Sequence, residues 1–183
     1  MRRHTPIVLV IVVACAAFAA KKIDPVPAAK AKAESLIGQP APDFSLPNAA
    51  GQTVRLADLR GKIVVLAFWA TWCPPCRAEM PGLTRLQKQL EPEGVAVIPI
   101  ANDDPVKARD FLAQKKLDPL SLFDGNRTVS RLYGANVLPR TFILDRNGVV
   151  VSTHLGKMSE ADVRRAVVEI QRAEMQEHEV LKN

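Results

Sequence analysis

The 183-residue chain is poor in cysteine, with three, and poor in aromatic residues, at 5%. Three cysteines cannot staple a small secreted scaffold, and they cannot supply a four-cysteine zinc site. No Lys/Arg block exceeds two residues, and the bases are interleaved with acids, as at Arg109-Asp110 and at Arg164-Arg165 near Glu169. A nucleic-acid footprint would cluster its cations on one face. The formal charge of +6 therefore reads as a mixed solvated surface, with no nucleic-acid partner expected. At 48% hydrophobic and 24% charged the composition is near globular averages, which excludes wholesale disorder and fibrous architecture. Internal repeats are absent.

What is present begins with a leader. Met1-Arg2-Arg3-His4 precedes residues 7 to 20, which carry no charge and no glycine, and Lys21-Lys22 closes the run. A charged start before a short apolar segment is the secretory-signal pattern, and the run is short of the roughly 20 residues a membrane span needs. Three fates stay open. Ala17-Phe18-Ala19 offers a small-x-small cleavage site, and Val12-Val13-Ala14-Cys15 resembles a lipobox that would lipidate Cys15. Retention as an anchor would keep Arg2 and Arg3 on the cytoplasmic side. Either way a periplasmic or extracytoplasmic location is expected, with membrane tethering through residues 1–20 an option. Residues 21–38, with Pro25 and Pro27 among Ala and Lys, read as a linker or tether. Residues 39–183 are then the folded domain.

Within it, Phe44-Ser45-Leu46 and residues 51–56 read as two short strands about a turn. Residues 62–69 (KIVVLAFW) and 95–100 (VAVIPI) are apolar throughout, as strands buried on both faces are. Met80, Leu83, Leu86 and Leu90 give helical spacing to residues 74–90, with a kink expected at Pro81. Asp103 or Asp104 caps a helix that Pro105 opens and that runs to Lys116. Residues 128–133 form a short helix ended by Gly134. Asn147-Gly148 joins residues 141–145 and 149–154 as a hairpin. Ser159 and Asp162 nearly make a capping box for a last helix to about Val180. This order predicts an α/β fold with a central mixed sheet covered on both faces.

The chemistry sits in Trp72-Cys73-Pro74-Pro75-Cys76, where the first buried strand meets its helix. Positions i and i+3 place both sulfurs on one helix face, within disulfide reach. The helix N-terminus favours the Cys73 thiolate, so Cys73 is the expected nucleophile and Cys76, one turn inside, the resolving partner. Pro74 removes one N–H near the Cys73 sulfur, which argues against a strongly oxidising protein. A purely structural disulfide would close too short a loop to stabilise much. Haem attachment would need His where Arg77 stands, and His4, His154 and His178 show no zinc-ligand spacing. No cofactor or metal is expected beyond the Cys73/Cys76 couple itself.

Residues 61–81 (GKIVVLAFWATWCPPCRAEMP), residues 94–102, and residues 138–145 (LPRTFILD) resemble the bacterial TlpA/ResA-like thioredoxin family. The resemblance spans nearly all of residues 38–172. It implies a thioredoxin-like fold with an N-terminal strand extension and a helix–strand insert over residues 102–123. It also implies a thiol–disulfide oxidoreductase that reduces protein disulfides, of the cytochrome c maturation or oxidase copper-site assembly type, fed by a membrane electron donor. By the same resemblance Pro139 is a cis-proline shaping the substrate groove, Trp72 packs beside the nucleophile, and Glu79 takes part in proton transfer near the pair; read alone, Glu79 could equally be a solvated helix residue. Plain thioredoxins carry a buried Asp six residues before the first cysteine, where this chain has Ala67, so Glu79 or solvent must take that proton.

Two other functions compete. Residues 39–46 (QPAPDFSL) also resemble peroxiredoxin starts, although the peroxiredoxin Thr lies three residues before its cysteine and Thr71 lies two before Cys73. A non-catalytic copper or partner-binding module would need a third ligand, for which His154 is the candidate in the folded part.

Overall fold

The computed structural model describes residues 25–180, so the leader, with Cys15 and its cleavage or lipidation options, lies outside the described residues. The elements in chain order are α1 (Pro25–Glu34), β1 (Ser45–Pro47), β2 (Thr53–Arg55), β3 (Ile63–Trp69), α2 (Pro74–Leu90), β4 (Val95–Ala101), α3 (Pro105–Gln114), β5 (Leu122–Phe123), α4 (Thr128–Leu132), β6 (Arg140–Leu144), β7 (Val150–Leu155) and α5 (Glu160–Val180). β1 and β2 form a separate antiparallel pair, and the other five make one sheet in the order β5-β4-β3-β6-β7. β3 runs parallel to β4 and antiparallel to β6, so the sheet is mixed, as expected.

The period of two along the central strands divides the core. Ile63, Val65, Ala67 and Trp69 of β3 face α2 and α5, with Met80, Leu86, Val163 and Val167. Val64, Leu66 and Phe68 face the other way, toward Tyr133 and Phe142. The Phe68, Tyr133 and Phe142 rings lie 5.1–5.9 Å apart in tilted or edge-on pairs. Both faces are apolar because both are covered, and each full burial of a large aliphatic or aromatic side chain stabilises the fold by about 1.5–3 kcal/mol. Pro99 sits in β4, where its missing N–H would break a ladder. Its carbonyl accepts from Ser121 Oγ at 3.3 Å, which turns its nitrogen toward the side where β5 is only two residues long and pairs from Ile100 onward.

Residues 25–34 correct the reading of 21–38 as a linker. They form α1, with Ala29 and Ala33 buried. Ala and Lys are strong helix formers, and the small Ala face fits against Gly134, where an added Cβ would lie 2.8 Å from the Ala29 carbonyl oxygen. The chain after α1 also joins the body through bridges Ile37–Val150 and Pro40–Val149. Among the described residues the packed body therefore includes Pro25–Glu34, ahead of residue 39. Pro81 lies inside α2, which runs to Leu90 as one helix. The carbonyl left without its bond is that of Arg77, an exposed residue that solvent can serve.

Candidate active site

The β3–α2 junction carries the site because β3 ends at Trp69 and α2 starts at Pro74. Cys73 is the N-cap of α2, with Pro74 and Pro75 in the first turn, where missing N–H groups cost little. Its sulfur accepts the Cys76 backbone N–H at 3.3 Å. Cys73 and Cys76 are joined as a disulfide with Cα atoms 5.3 Å apart. Cys73 is 3% exposed and Cys76 fully buried, so what access the pair has is through Cys73.

The register places the expected proline at the same end of the sheet. Phe68 of β3 pairs with Arg140 of β6, so Pro139 comes next outward, beside the end of β3. The Leu138–Pro139 bond is cis, as the family resemblance implied, and the Pro139 carbonyl accepts from Gly156 N at 2.9 Å.

Glu79 lies one turn after Cys76 on α2 and is only 8% exposed, so the solvated reading does not hold. Burial pushes its carboxyl up from 4.5 to about 7, opposed by a hydrogen bond from the Met158 backbone N–H and by the Lys157 charge. A cleft of about 400 Å³, lined by Gly82, Lys157, Met158 and Glu160 among others, opens beside it. A carboxyl near 7 is matched to proton exchange at neutral pH.

Trp72, next to Cys73, is 58% exposed. The interior is filled by Trp69, whose ring lies 5.6 Å from that of Phe111. With exposed Pro74 and Pro75, Trp72 forms the outer surface around the pair. His154, which a copper carrier requires as third ligand, stands exposed on β7. Among the described residues no three His, Cys, Asp or Glu side chains group to hold a metal ion.

Two polar residues of the site were not anticipated. Asp103 is buried against Thr71 of the redox loop. Arg140, next after Pro139, is 2% exposed, and its Nε and Nη2 have no hydrogen-bond partner among the described residues. Burial lowers its pKa from the ordinary guanidinium value, with Glu34 of α1 acting in the opposite direction. No local signal distinguishes Arg140 from a surface arginine; its burial follows from α1 covering that face.

These features are those of a dithiol redox site, and the comparisons agree. The AhpC/TSA family profile matches residues 37–153. The chain belongs to the AhpC/TSA family. It is 35% identical to the thiol-disulfide oxidoreductase ResA of Geobacillus thermodenitrificans over 130 residues, 70% of this chain and 75% of that protein. A crystal structure from Chlorobium tepidum, described as a thiol:disulfide interchange protein DsbE, superposes with TM-score 0.68 at 34% identity, covering 73% of this chain and 96% of that one. The pneumococcal exposed lipoprotein thioredoxin Etrx1 of Streptococcus pneumoniae superposes with TM-score 0.61 at 29% identity, covering 70% and 99%. The fold is thioredoxin-like, and the protein is a ResA-like thiol–disulfide oxidoreductase.

Proposed function

We propose that this oxidoreductase works outside the cytoplasm as a reductant of protein disulfides, with Cys73 as nucleophile and Cys76 as resolving thiol. The observation that carries the reading is the position of Cys73 as the N-cap of α2, its sulfur receiving the Cys76 N–H. The Cys73 thiolate attacks a substrate disulfide, forming one mixed disulfide and releasing one substrate thiolate. Cys76, deprotonated by Glu79, then attacks the Cys73 sulfur, closing the Cys73–Cys76 bond and releasing the second substrate thiolate. Two protein thiols are thereby oxidised as one substrate disulfide is reduced, and an external membrane dithiol donor restores the pair. Pro139 and the exposed Trp72 line the groove in which the substrate strand lies.

The leader, with Cys15 as a lipidation site or the whole run as an anchor, supports an extracytoplasmic place. The exposed-lipoprotein description of the Streptococcus pneumoniae relative supports it as well. Cytochrome c maturation or oxidase copper-site assembly are the substrate classes that the ResA-like relationship favours. A peroxidase reading has less to support it, since the Thr71 hydroxyl is committed to Asp103 rather than to the cysteine. The reduction potential of the purified protein tests the direction. A value close to the −270 mV of about thioredoxin rank is expected, because Pro74 leaves the thiolate one donor short; a value near about −120 mV would make the protein an oxidant.

A further inference from the structure

Two adjacent aspartates follow β4 and serve different ends. Asp104 caps α3, its Oδ1 accepting from Val106 N at 2.7 Å and Lys107 N at 3.3 Å. Asp103 turns the other way. Its Oδ2 accepts from Thr71 N at 3.1 Å and from the Thr71 hydroxyl, while its Oδ1 accepts from Asp104 N at 2.7 Å. It is 9% exposed. Burial pushes its carboxyl up, but the Thr71 and Asp104 hydrogen bonds and the Lys107 charge prevail and hold it below the ordinary carboxylate value.

We propose that Asp103 is a positioning residue for the redox pair: through both donors of Thr71, its carboxylate fixes the loop that delivers Cys73 to the start of α2. The inference rests on the reading of Cys73 as nucleophile. Thr71 lies two residues before Cys73, and the loop's own bracing is a turn in which Cys73 N donates to Ala70 O at 3.2 Å. Hydrogen bonds to an ionised acceptor are roughly twice as strong as neutral ones. Two from one residue fix both where the loop stands and how it is rotated. The contact spans 32 positions of sequence, so it ties the insert's first residues to the cysteine loop. Asn102 extends the tie: its N–H donates to Trp69 O at 2.8 Å and its Nδ2 donates to Ala135 O at 3.2 Å, on the segment leading to Pro139. The carboxylate is hydrogen-bonded to a residue two positions before Cys73, so its negative charge is expected to oppose thiolate formation and offset part of the helix-terminus effect.

The experiment compares the full chain with Thr71→Ser, Thr71→Val, Asp103→Asn, Asp103→Ala and the Thr71→Val/Asp103→Ala double variant. It reads the Cys73 thiol pKa by alkylation rate, the reduction potential, and kcat and KM for reduction of insulin disulfides. Thr71→Ser keeps its hydroxyl and is expected within about twofold of wild type; Thr71→Val loses about tenfold in kcat/KM, the worth of one charge-assisted hydrogen bond, and Asp103→Ala, which removes both Thr71 bonds, loses at least as much. The double variant is expected to be no worse than Asp103→Ala alone, since that change already removes the hydroxyl bond that Thr71→Val deletes. Asp103→Asn retains an acceptor without the charge, so the Cys73 thiol pKa falls and the disulfide becomes easier to reduce. Losses that multiply in the double variant would overturn the proposal. So would a thiol pKa and potential unmoved in every variant while melting temperature drops, the mark of a merely structural residue. Turnover surviving Cys73→Ser would instead strike the nucleophile reading, and the coupling of Thr71 to Asp103 would still be measurable in stability.

Discussion

Cys73→Ser abolishes reduction of protein disulfides, with a loss expected on the order of a thousandfold or more, because serine is not ionised at neutral pH and cannot form the mixed disulfide. The fold survives the change. Cys73 and Cys76 are three residues apart, and a loop that short is worth at most about 2 kcal/mol of chain entropy. Insulin reduction followed beside far-UV circular dichroism checks both halves. A Cys73→Ser variant with substantial turnover, set against an inactive Cys76→Ser variant, would reverse the two roles. The asymmetry is expected in the direction given because Cys73 caps the helix and keeps the pair's residual access, while Cys76 lies fully buried one turn in.

Glu79→Gln stabilises the protein above pH 7, by about 3 kcal/mol at about 1.4 kcal/mol per pH unit, and does not stabilise it at pH 4. The folded carboxyl is raised from 4.5 to about 7, first by burial. Between those values the folded state holds a proton that the unfolded state has released. Stability therefore falls as pH rises through the window and stays lower above 7, where the charge must be buried. Glutamine has no charge to bury, so its stability curve is flat where the wild type declines. Urea unfolding at pH 4 and pH 8 measures the difference. Equal stabilisation at both pH values would mean that Glu79 does not titrate in that window. Turnover should change in the opposite sense: if Glu79 receives the Cys76 proton, Glu79→Gln slows resolution of the mixed disulfide most near neutral pH. A residue that costs stability where it carries its charge fits a functional placement better than a packing one.

Much of this was legible in the chain because local chemistry and tertiary packing agreed. β3 and β4 are apolar on both faces and are covered on both faces. Asn147-Gly148 makes the expected hairpin turn, with Gly148 at φ 73° and its N–H donating to Asp145 O. Ser159 and Asp162 exchange the hydrogen bonds of a capping box at the start of α5. The Cys73/Cys76 pair was readable because helix geometry alone brings i and i+3 together. Glu79 was only half readable: helix spacing gives its proximity to Cys76, but its burial depends on the Lys157–Met158 segment arriving from far along the chain.

What was not legible depended on partners distant in sequence. α1 offers no apolar stripe beyond small alanines, and Pro25 and Pro27 read as linker residues, whereas its close docking rests on Gly134, distant in sequence, where a side chain would meet the Ala29 carbonyl. Two tryptophans three positions apart look interchangeable in the sequence, yet Trp69 lies inside and Trp72 outside because the strand ends between them. Asp103 and Asp104 were equal candidates for one cap. The backbone gives the cap to Asp104 and frees Asp103 for Thr71, a contact that no local pattern announces.

The nucleophile assignment is tested most directly by trapping. Cys76→Ser in the full chain, incubated with a disulfide-bonded protein substrate and quenched with acid, is expected to accumulate a mixed disulfide whose bond, located by mass spectrometry, is at Cys73. An adduct bound elsewhere, or no adduct while free Cys73 remains alkylatable, would contradict the mechanism.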